Sequence, residues 1–357
     1  LVGSEMCIRD RNLAVHHAQY QELAEALSEG KVSVGDAEEA LLAMKNPYDT
    51  IALQAAGIGY RADYAYHNGK YYVYFGIVPV LLLYLPYYLL TGGALQNYVA
   101  VFVFFAGFII AAAGFVYELM KRYFKEQPFY LWAVGTGMLV GSYSMFYLLI
   151  RPDLYHVPIV ASAMFATGGL WLYLAGLNRP KKAVGLYAFG SFCMALTAGC
   201  RPQFILFAAL AVVLFWERVF VKRELFSKKG WRQTAALVVP YVLIAAGLMA
   251  YNALRFGSPF DFGASYSMTS NDMTHRGTNL ERILYGIWYF LFEPMQLEGK
   301  FPYLQSASIA TDYLGKLVTE SWFGGIFACS MLTWGIFLLG RLLSLIHISE
   351  PTRLLSI

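Results

Sequence analysis

The sequence predicts an all-α, polytopic membrane protein with about seven transmembrane helices, a proline-broken juxtamembrane helix and two large extracytoplasmic loops. Hydrophobic residues make up 58% of the chain and charged residues only 14%, whereas about a quarter of a soluble domain is charged. Uncharged apolar runs of roughly 20 residues recur, which is the length that crosses a bilayer as a helix. These runs are continuous instead of alternating, and this pattern excludes a transmembrane barrel.

Seven such runs follow one another, joined by short polar segments. They cover residues 98–117, 129–150, 157–177, 183–200, 202–216, 233–254 and 321–340. Small residues within them predict close helix contacts. The glycines that we expect at these contacts are Gly135, Gly137, Gly141, Gly168 and Gly169.

Lysine and arginine clusters follow the first, third, fifth and seventh runs. Positively charged loops stay in the cytoplasm, so one alternation orients all seven runs. The segments before Tyr98, around Arg151, around Arg201 and over residues 255–320 are then extracytoplasmic. The short basic joints are typical of a bacterial inner membrane protein.

The apolar segment 71–90 does not fit this alternation as a span. It contains Gly76, Pro79 and Pro86, and prolines interrupt a straight helix. We predict a broken helix at the outer membrane face, and an ordinary eighth span is the alternative. Its tyrosines would be interfacial anchors. They are Tyr71, Tyr72, Tyr74, Tyr84, Tyr87 and Tyr88.

The two ends of the sequence read as sequencing adapter. Residues 6–10 and 343–347 translate one transposon-type DNA word on opposite strands, so residues 1–11 and 343–357 are expected to be artefacts. Between them we predict a first extracytoplasmic loop with juxtamembrane helices over 12–94 and a six-span core over 95–254. A second large loop over 255–320 and a last span over 321–342 complete the layout.

Charge and cysteine content give no sign of a nucleic-acid partner, a metal or a disulfide. The net charge is +4, and the basic residues lie at the ends of apolar runs. Cys193, Cys200 and Cys329 lie in apolar stretches without motif spacing, as small hydrophobic residues do. The adjacent His16 and His17 have too few partners for a metal site.

Two motifs resemble GT-C superfamily glycosyltransferases, which include enzymes like protein O-mannosyltransferases and aminoarabinose transferases. The stretch 63–76, DYAYHNGKYYVYFG, together with Pro79, looks like the first outer loop of that superfamily. The segment 252–263, NALRFGSPFDFG, is similar to a segment of bacterial members. The resemblance implies inverting transfer of a sugar from a polyprenyl-phosphate donor to an extracytoplasmic glycan, lipid or protein acceptor. Some members use a divalent metal, but no cofactor is evident from these residues.

Sugar transfer of this kind needs a carboxylate that takes a proton from the acceptor hydroxyl. The superfamily's hallmark acid lies in the first outer loop, often directly after a first span that we expect upstream of this sequence. Asp63 ranks first here because it lies nearest the tyrosine-rich segment, and Asp49 is a second candidate. Asp153 matches a second acid that members carry in a later loop. Helix capping, turn formation or an Arg151–Asp153 ion pair are the structural alternatives.

The reaction also needs cations for the charge that develops on the leaving phosphate. Arg201 is the most informative, because it follows an apolar run on the side that positive charge avoids. A planar guanidinium suits phosphate oxygens. The further candidates for donor binding are Arg151, Arg255, Lys70 and His156. The structural alternative is that the arginines reach lipid headgroups and that His156 has a purely structural role.

Two other classes of protein stay open from the sequence. A multi-pass transporter or lipid flippase places charged or helix-breaking residues near mid-membrane, whereas these runs carry their charges at the ends. A non-enzymatic scaffold for polysaccharide export is the third reading. Membrane lipids are partners in all three.

Overall fold

A computed structural model shows a mostly helical chain. It describes residues 18–74, 76–124, 126–142, 145–150, 152–228, 230–269, 272–275, 281–300, 304–305, 307–313, 316–322, 324–329 and 331–334. The chain divides into two compact units, Leu1–Thr274 and His275–Ile357. The expected adapter residues lie outside the described residues, and so do His16, His17 and Arg151.

Five helices of the first unit are long and apolar enough to cross a membrane, as expected of an integral membrane protein. Four shorter helices come before them in the chain: α1 (Gln19–Ser28), α2 (Glu39–Leu42), α3 (Thr50–Ala55) and α4 (Ile77–Thr91). The five long helices are α5 (Asn97–Tyr123), α8 (His156–Asn178), α9 (Pro180–Cys200), α10 (Pro202–Val221) and α11 (Trp231–Phe256). Between α5 and α8 lie α6 (Tyr130–Ser142) and α7 (Met145–Ile150).

The prediction of seven spans is not confirmed. In the predicted span 129–150 the structure describes two helices, α6 and α7, on either side of residues 143–144, which lie outside the described residues, and neither described helix by itself reaches the length of a span. The predicted span 321–340 begins inside a strand, Lys316–Trp322, and its described remainder holds only the short helices Ile326–Cys329 and Met331–Trp334. Neither segment is therefore among the five long apolar helices of the described residues.

Helices α10 and α11 expose most of their apolar surface. Only 6% and 11% of their most apolar windows are buried, against 44% to 61% for the other three spans. A soluble protein does not leave apolar faces of this size in water. Lipid is the solvent that such faces fit.

The span directions follow from side-chain contacts. Gly107 and Gly114 of α5 face Met164 and Trp171 of α8 in the same order, so these helices run parallel. Gly169 of α8 packs against the backbone of Gly190 in α9, which runs the opposite way. Gly169 is therefore a close-contact glycine as predicted, whereas Gly137 and Gly141 have no described atom within 4 Å of a Cβ position.

These directions separate the first unit into two ends. We call the end where α5 and α8 begin and α9 and α11 finish the loop end, because residues 18–96 and 257–274 connect to it. The opposite end, the basic end, carries the last turn of α5, the α8–α9 joint and the α10–α11 joint. All three basic clusters of these segments lie there, so the alternation inferred from charge agrees with the described helices.

The first loop folds on a small antiparallel sheet that was not predicted. Its strands are β1 (Gly35–Asp36), β2 (Ala65–His67) and β3 (Lys70–Tyr72), in the order β1–β3–β2. Tyr71 and Tyr72 belong to β3 and are buried, so their predicted role as interfacial anchors is wrong. They pack instead with other tyrosines and Phe256.

The broken helix is present as α4, which is shorter than a span. Its residues Val80–Tyr84 form a π-turn between Pro79 and Pro86, because proline removes the backbone donor of a regular turn. Tyr84 is buried and its hydroxyl donates to Asn97 Oδ1 at 2.7 Å. Tyr84 is thus a core residue, whereas Tyr87 is exposed as an anchor would be.

The segment after α11 returns to the first loop. Thr50 Oγ1 donates to the carbonyl oxygen of Thr269 at 3.0 Å, and Asn46 Nδ2 donates to Asp272 Oδ2 at 2.8 Å. Ser267 bridges to Ala65 of β2. The beginnings of the two predicted outer loops therefore form one structure.

Among its described residues the second unit contains the short helix α12 (Glu281–Ile287), the short helices Ile326–Cys329 and Met331–Trp334 named above, and two hairpins. Its longer hairpin pairs Ala307–Tyr313 with Lys316–Trp322 in antiparallel register, from Ala307 opposite Trp322 to Tyr313 opposite Lys316. The shorter pairs Gln296–Leu297 with Leu304–Gln305.

Candidate functional site

Asp63 lies in the turn that leads into β2, at the loop end. Its backbone is in the left-handed region, with φ of 61°, which aspartate tolerates better than most residues. Its N–H donates to the carbonyl oxygen of Met268 at 3.0 Å, and the N–H of Met268 donates to Tyr64 at 2.9 Å. The segment after α11 thus fixes the unusual backbone of Asp63.

Two half-buried tyrosines face Asp63. The side chain of Tyr155, just before α8, hydrogen-bonds with Asp63 and with Tyr74, which follows β3. A phenol carries one proton and a carboxylate is the stronger acceptor. We therefore assign the Tyr155 proton to Asp63, and the Tyr74 hydroxyl donates to the Tyr155 oxygen.

The environment keeps both phenols protonated. Burial raises the pKa of Tyr155 well above its ordinary value, and Tyr74 and Asp63 raise it further. Burial also raises the pKa of Tyr74, an effect that Arg201 opposes. Both hydroxyls can therefore act as donors at neutral pH.

Arg201 supplies positive charge to this cluster. It ends α9 with an extended backbone and is followed by Pro202. Its charge acts on Tyr74 and on Tyr20, where it lowers a pKa that burial raises. Its half-buried guanidinium forms no ion pair or side-chain hydrogen bond with another described residue. A carboxylate and a guanidinium without an ion-pair partner among the described residues thus both act on Tyr74.

A small, mostly apolar cavity adjoins this cluster, where α9 and α11 end. It measures about 20 Å³ and is lined by Tyr74, Cys200, Pro202, Tyr251 and Arg255, among others. That volume holds about one water molecule. The Tyr251 hydroxyl and Arg255 Nε are buried and have no partner among the described residues.

Arg255 was expected to present its guanidinium group to a phosphate, but in the structure this group is not open to one. The side chain is 4% exposed, and its Nη1 and Nη2 donate to the Val73 carbonyl at 2.6 Å and to Asn252 Oδ1 at 2.7 Å. The guanidinium also lies over the Tyr251 ring, 3.9 Å from its centroid. Arg255 therefore holds the backbone next to Tyr74, and only Nε is left for the cavity.

The other two candidate acids accept backbone hydrogen bonds. Asp49 Oδ1 accepts the N–H groups of Ile51 and Ala52, both at 3.2 Å, as the N-cap of α3. Asp153 Oδ1 accepts the N–H groups of Tyr155 at 3.0 Å and His156 at 3.3 Å, in a turn just before α8. The expected Arg151–Asp153 ion pair involves a residue outside the described ones. Asp153 orients the backbone that carries Tyr155.

The remaining candidates lie apart from Arg201 or are held by neighbours. His156 Nδ1 is 3.4 Å from Asp153 Oδ1, and its ring meets the edge of Tyr147. Lys70 is exposed in β3, beside a groove lined by the carboxylates of Glu22, Glu25, Glu29 and Asp36. This groove is separate from the cavity at Arg255.

Reasoning from the sequence missed Tyr155, Tyr74 as a site residue, and Met268. Tyr155 is two residues after Asp153, in the motif that closes the predicted second run, and only the structure shows its contact with Asp63. Nothing in the composition marks Met268, because it acts through backbone atoms. Among the described residues, no three His, Cys, Asp or Glu side chains are placed to hold a metal ion.

Comparison of the chain with family models, with curated proteins and with solved structures finds no match. The arguments for function therefore come from the site itself.

Proposed function

We propose that this protein is a GT-C-type glycosyltransferase that moves a sugar from a polyprenyl-phosphate donor to a hydroxyl acceptor at the loop end. In this reaction the acceptor oxygen forms a bond to the anomeric carbon while the bond from that carbon to the phosphate oxygen breaks. The acceptor's proton goes to a carboxylate, and the phosphate leaves with the bonding electron pair. The observation that carries the proposal is that Asp63 and Arg201 both act on Tyr74, while Asp63 is also hydrogen-bonded to Tyr155.

Asp63 is the proposed base. Its carboxylate is half-buried and accepts one hydrogen bond from Tyr155, so its other lone pairs are open to an acceptor hydroxyl. Tyr155 is a positioning residue, because its protonated phenol fixes the carboxylate without competing for the proton.

Arg201 is the proposed partner of the donor phosphate. A guanidinium without an ion pair at the end of a membrane helix is costly unless a ligand or water meets it. It lies at the level where the phosphate of a membrane-anchored donor would sit, and its fork can contact two phosphate oxygens.

The loop end is proposed to face away from the cytosol of a bacterial inner membrane. Support comes from the lysines and arginines that gather at the basic end. Asn68→Cys and Lys228→Cys place thiols at exposed positions of the two ends. Membrane-impermeant labelling of intact cells should modify the first and spare the second; the reverse pattern would place the proposed site in the cytosol.

The transfer test uses membranes that contain the full protein, a synthetic short-chain polyprenyl-phosphate hexose with a labelled sugar, and envelope glycans or lipids as acceptors. Asp63→Asn and Arg201→Gln should abolish incorporation of label. Asp49→Asn is the matched control, because asparagine also caps a helix and the residue lies in the same loop. Wild-type incorporation by Asp63→Asn would falsify the assignment of the base.

A further inference from the structure

The joint between α10 and α11 forms a second candidate binding surface, at the opposite end from Asp63. Residues 222–230 connect two helices that are each long enough to cross a membrane. So short a joint must lie at the level of the lipid headgroups, because both of its ends emerge from the bilayer. Its chemistry is independent of the proposed transfer.

The joint has a fixed shape. Leu225 is 2% exposed and is part of the helix core, and a Cβ atom on Gly230 would lie 2.0 Å from the Glu224 carbonyl oxygen. Arg218 ties its two sides together, with hydrogen bonds to Glu224 Oε2 at 3.0 Å and Gln233 Oε1 at 2.7 Å. The residues between these anchors are therefore held in place.

This fixed joint presents a mixture of aromatic and cationic side chains. Phe226 is 72% exposed and Trp231 is 61% exposed. Arg223, Lys228 and Arg232 are also exposed, and none forms an ion pair with another described residue. By contrast, Lys222 and Arg218 are neutralised by Glu217 and Glu224.

Arg223 adds a conformational argument. Its backbone is left-handed, with φ of 52°, which costs energy for a long side chain and is kept where surrounding structure requires it. In the same joint, the guanidinium of Arg232 lies 5.8 Å from the centroid of the exposed Trp231 ring.

We propose that residues 222–232 bind the headgroups of anionic phospholipids. Three unpaired cations complement the phosphate of such a lipid, and Phe226 and Trp231 insert among the upper acyl chains, as aromatic residues do at membrane interfaces. A nucleic acid or an acidic peptide would leave these rings exposed to water. An acidic lipid contacts both kinds of side chain at once.

The test measures lipid binding to the full chain purified in detergent. Phosphatidylglycerol is titrated and bound lipids are counted by native mass spectrometry, with phosphatidylcholine of the same acyl chains as the zwitterionic reference. The variant R223Q/K228Q/R232Q removes three positive charges from the surface. The matched control K121Q/K181Q/K182Q removes three exposed charges from the other joints of the basic end.

We expect phosphatidylglycerol to bind more tightly than phosphatidylcholine. The affinity for phosphatidylglycerol should fall about fivefold for each cation removed from the 222–232 surface. The control variant should retain the wild-type affinity. An equal loss in both triple variants would show a diffuse electrostatic effect without a site, and no loss in the first would overturn the proposal. If inorganic phosphate competes as well as lipid does, the acyl chains and the aromatic residues have no part.

A second measurement covers the case in which the triple variant fails to fold. Phe226→Ser keeps every charge and should weaken phosphatidylglycerol binding in the wild-type background, with unchanged elution on gel filtration. Binding that is insensitive to this change and to added salt would contradict an interfacial, electrostatic site.

Discussion

The basic end and the loop end of the helical unit differ in whether their buried and half-buried charged side chains form ion pairs. At the basic end, the buried carboxylate of Glu118 meets Arg179 at 2.5 Å and Asn178 Nδ2 at 2.8 Å. At the loop end, Asp63 and Arg201 both act on Tyr74 and form no ion pair with each other. An ion pair compensates a buried charge at the lowest free-energy cost. The separated charges at the loop end therefore need another explanation.

The proposed transfer reaction offers an explanation. Two charges joined by an ion pair neutralise each other and are poor at meeting a substrate, whereas two that are held apart can act on different atoms. Tyr155 hydrogen-bonds with the Asp63 carboxylate, so this charge has a partner without an ion pair to Arg201. The comparison predicts that changes at the loop end reduce activity and that changes at the basic end reduce stability.

The largest expected effect is on transfer at the loop end. Asp63→Asn and Arg201→Gln should each lower the rate about 10²- to 10³-fold, the usual size for one base or one charge-stabilising donor. Their thermal unfolding should differ little from wild type, by about 0.5 kcal/mol or less. Rates come from the labelled-donor assay and stability from thermal denaturation in detergent.

The double variant sharpens this prediction. If both residues act in one step, the combined loss is smaller than the product of the single losses. Strict multiplicativity would mean that they act independently, and a large loss of stability in either single variant would remove the contrast between the ends.

The next largest effect is on stability at the basic end. Arg179→Ala leaves the buried Glu118 carboxylate without its cation and should cost about 2–3 kcal/mol of unfolding free energy. Lys182→Ala removes an exposed neighbouring cation and serves as the control, with an expected change of about 0.5 kcal/mol or less. Equal effects of the two would show that Glu118 is satisfied by Asn178 alone.

The sequence predicted part of the structure at each end of the helical unit. The spans and the side on which each basic cluster lies follow from hydropathy and charge, which act locally, and five spans and their alternation agree with the structure. The small sheet was missed because Gly35–Asp36 and Lys70–Tyr72 pair across a long stretch of sequence. Short strands of this kind carry little pattern of their own.

The charged members of the candidate site could be named from the sequence, and its neutral members could not. Arg201 stood out because charge at membrane depth is costly, and Asp63 because it lies nearest the tyrosine-rich segment. Tyr155 did not, since tyrosine is common in this chain and its function depends on the contact with Asp63. Arg255 had the same sequence signal as Arg201, and only the contacts with Val73 and Asn252 reveal its structural role.

A smaller effect separates capping from catalysis within the first loop. Asp49→Ala removes the acceptor for Ile51 and Ala52 and should cost about 1 kcal/mol of unfolding free energy. Transfer activity at a temperature well below unfolding should remain that of the wild type. A loss of activity comparable to that of Asp63→Asn would make Asp49 the base and reverse the ranking of the two acids.

The smallest effect concerns pH at the loop end. The Tyr48 hydroxyl donates to the Tyr66 carbonyl oxygen at 2.9 Å, and burial, with neighbouring Tyr266 and Tyr66, raises the pKa of Tyr48 to about 12. The unfolded chain releases this proton near pH 10, so the folded state holds more protons between pH 10 and 12 and its stability falls as pH rises there. Below pH 10 this contribution is complete.

Tyr48→Phe should therefore lower the free energy of unfolding by about 1 kcal/mol at neutral pH, because one hydrogen bond is lost. Between pH 10 and 12 the stability of this variant should fall less than that of the wild type. Chemical denaturation at pH 8, 10 and 11.5 measures both terms, and the difference between the two proteins cancels the titration of the other tyrosines. Parallel decline of the two proteins would show that the Tyr48 hydroxyl ionises as freely in the folded chain as in the unfolded one, and that the loop end is open to water at the contact between Tyr48 and Tyr66.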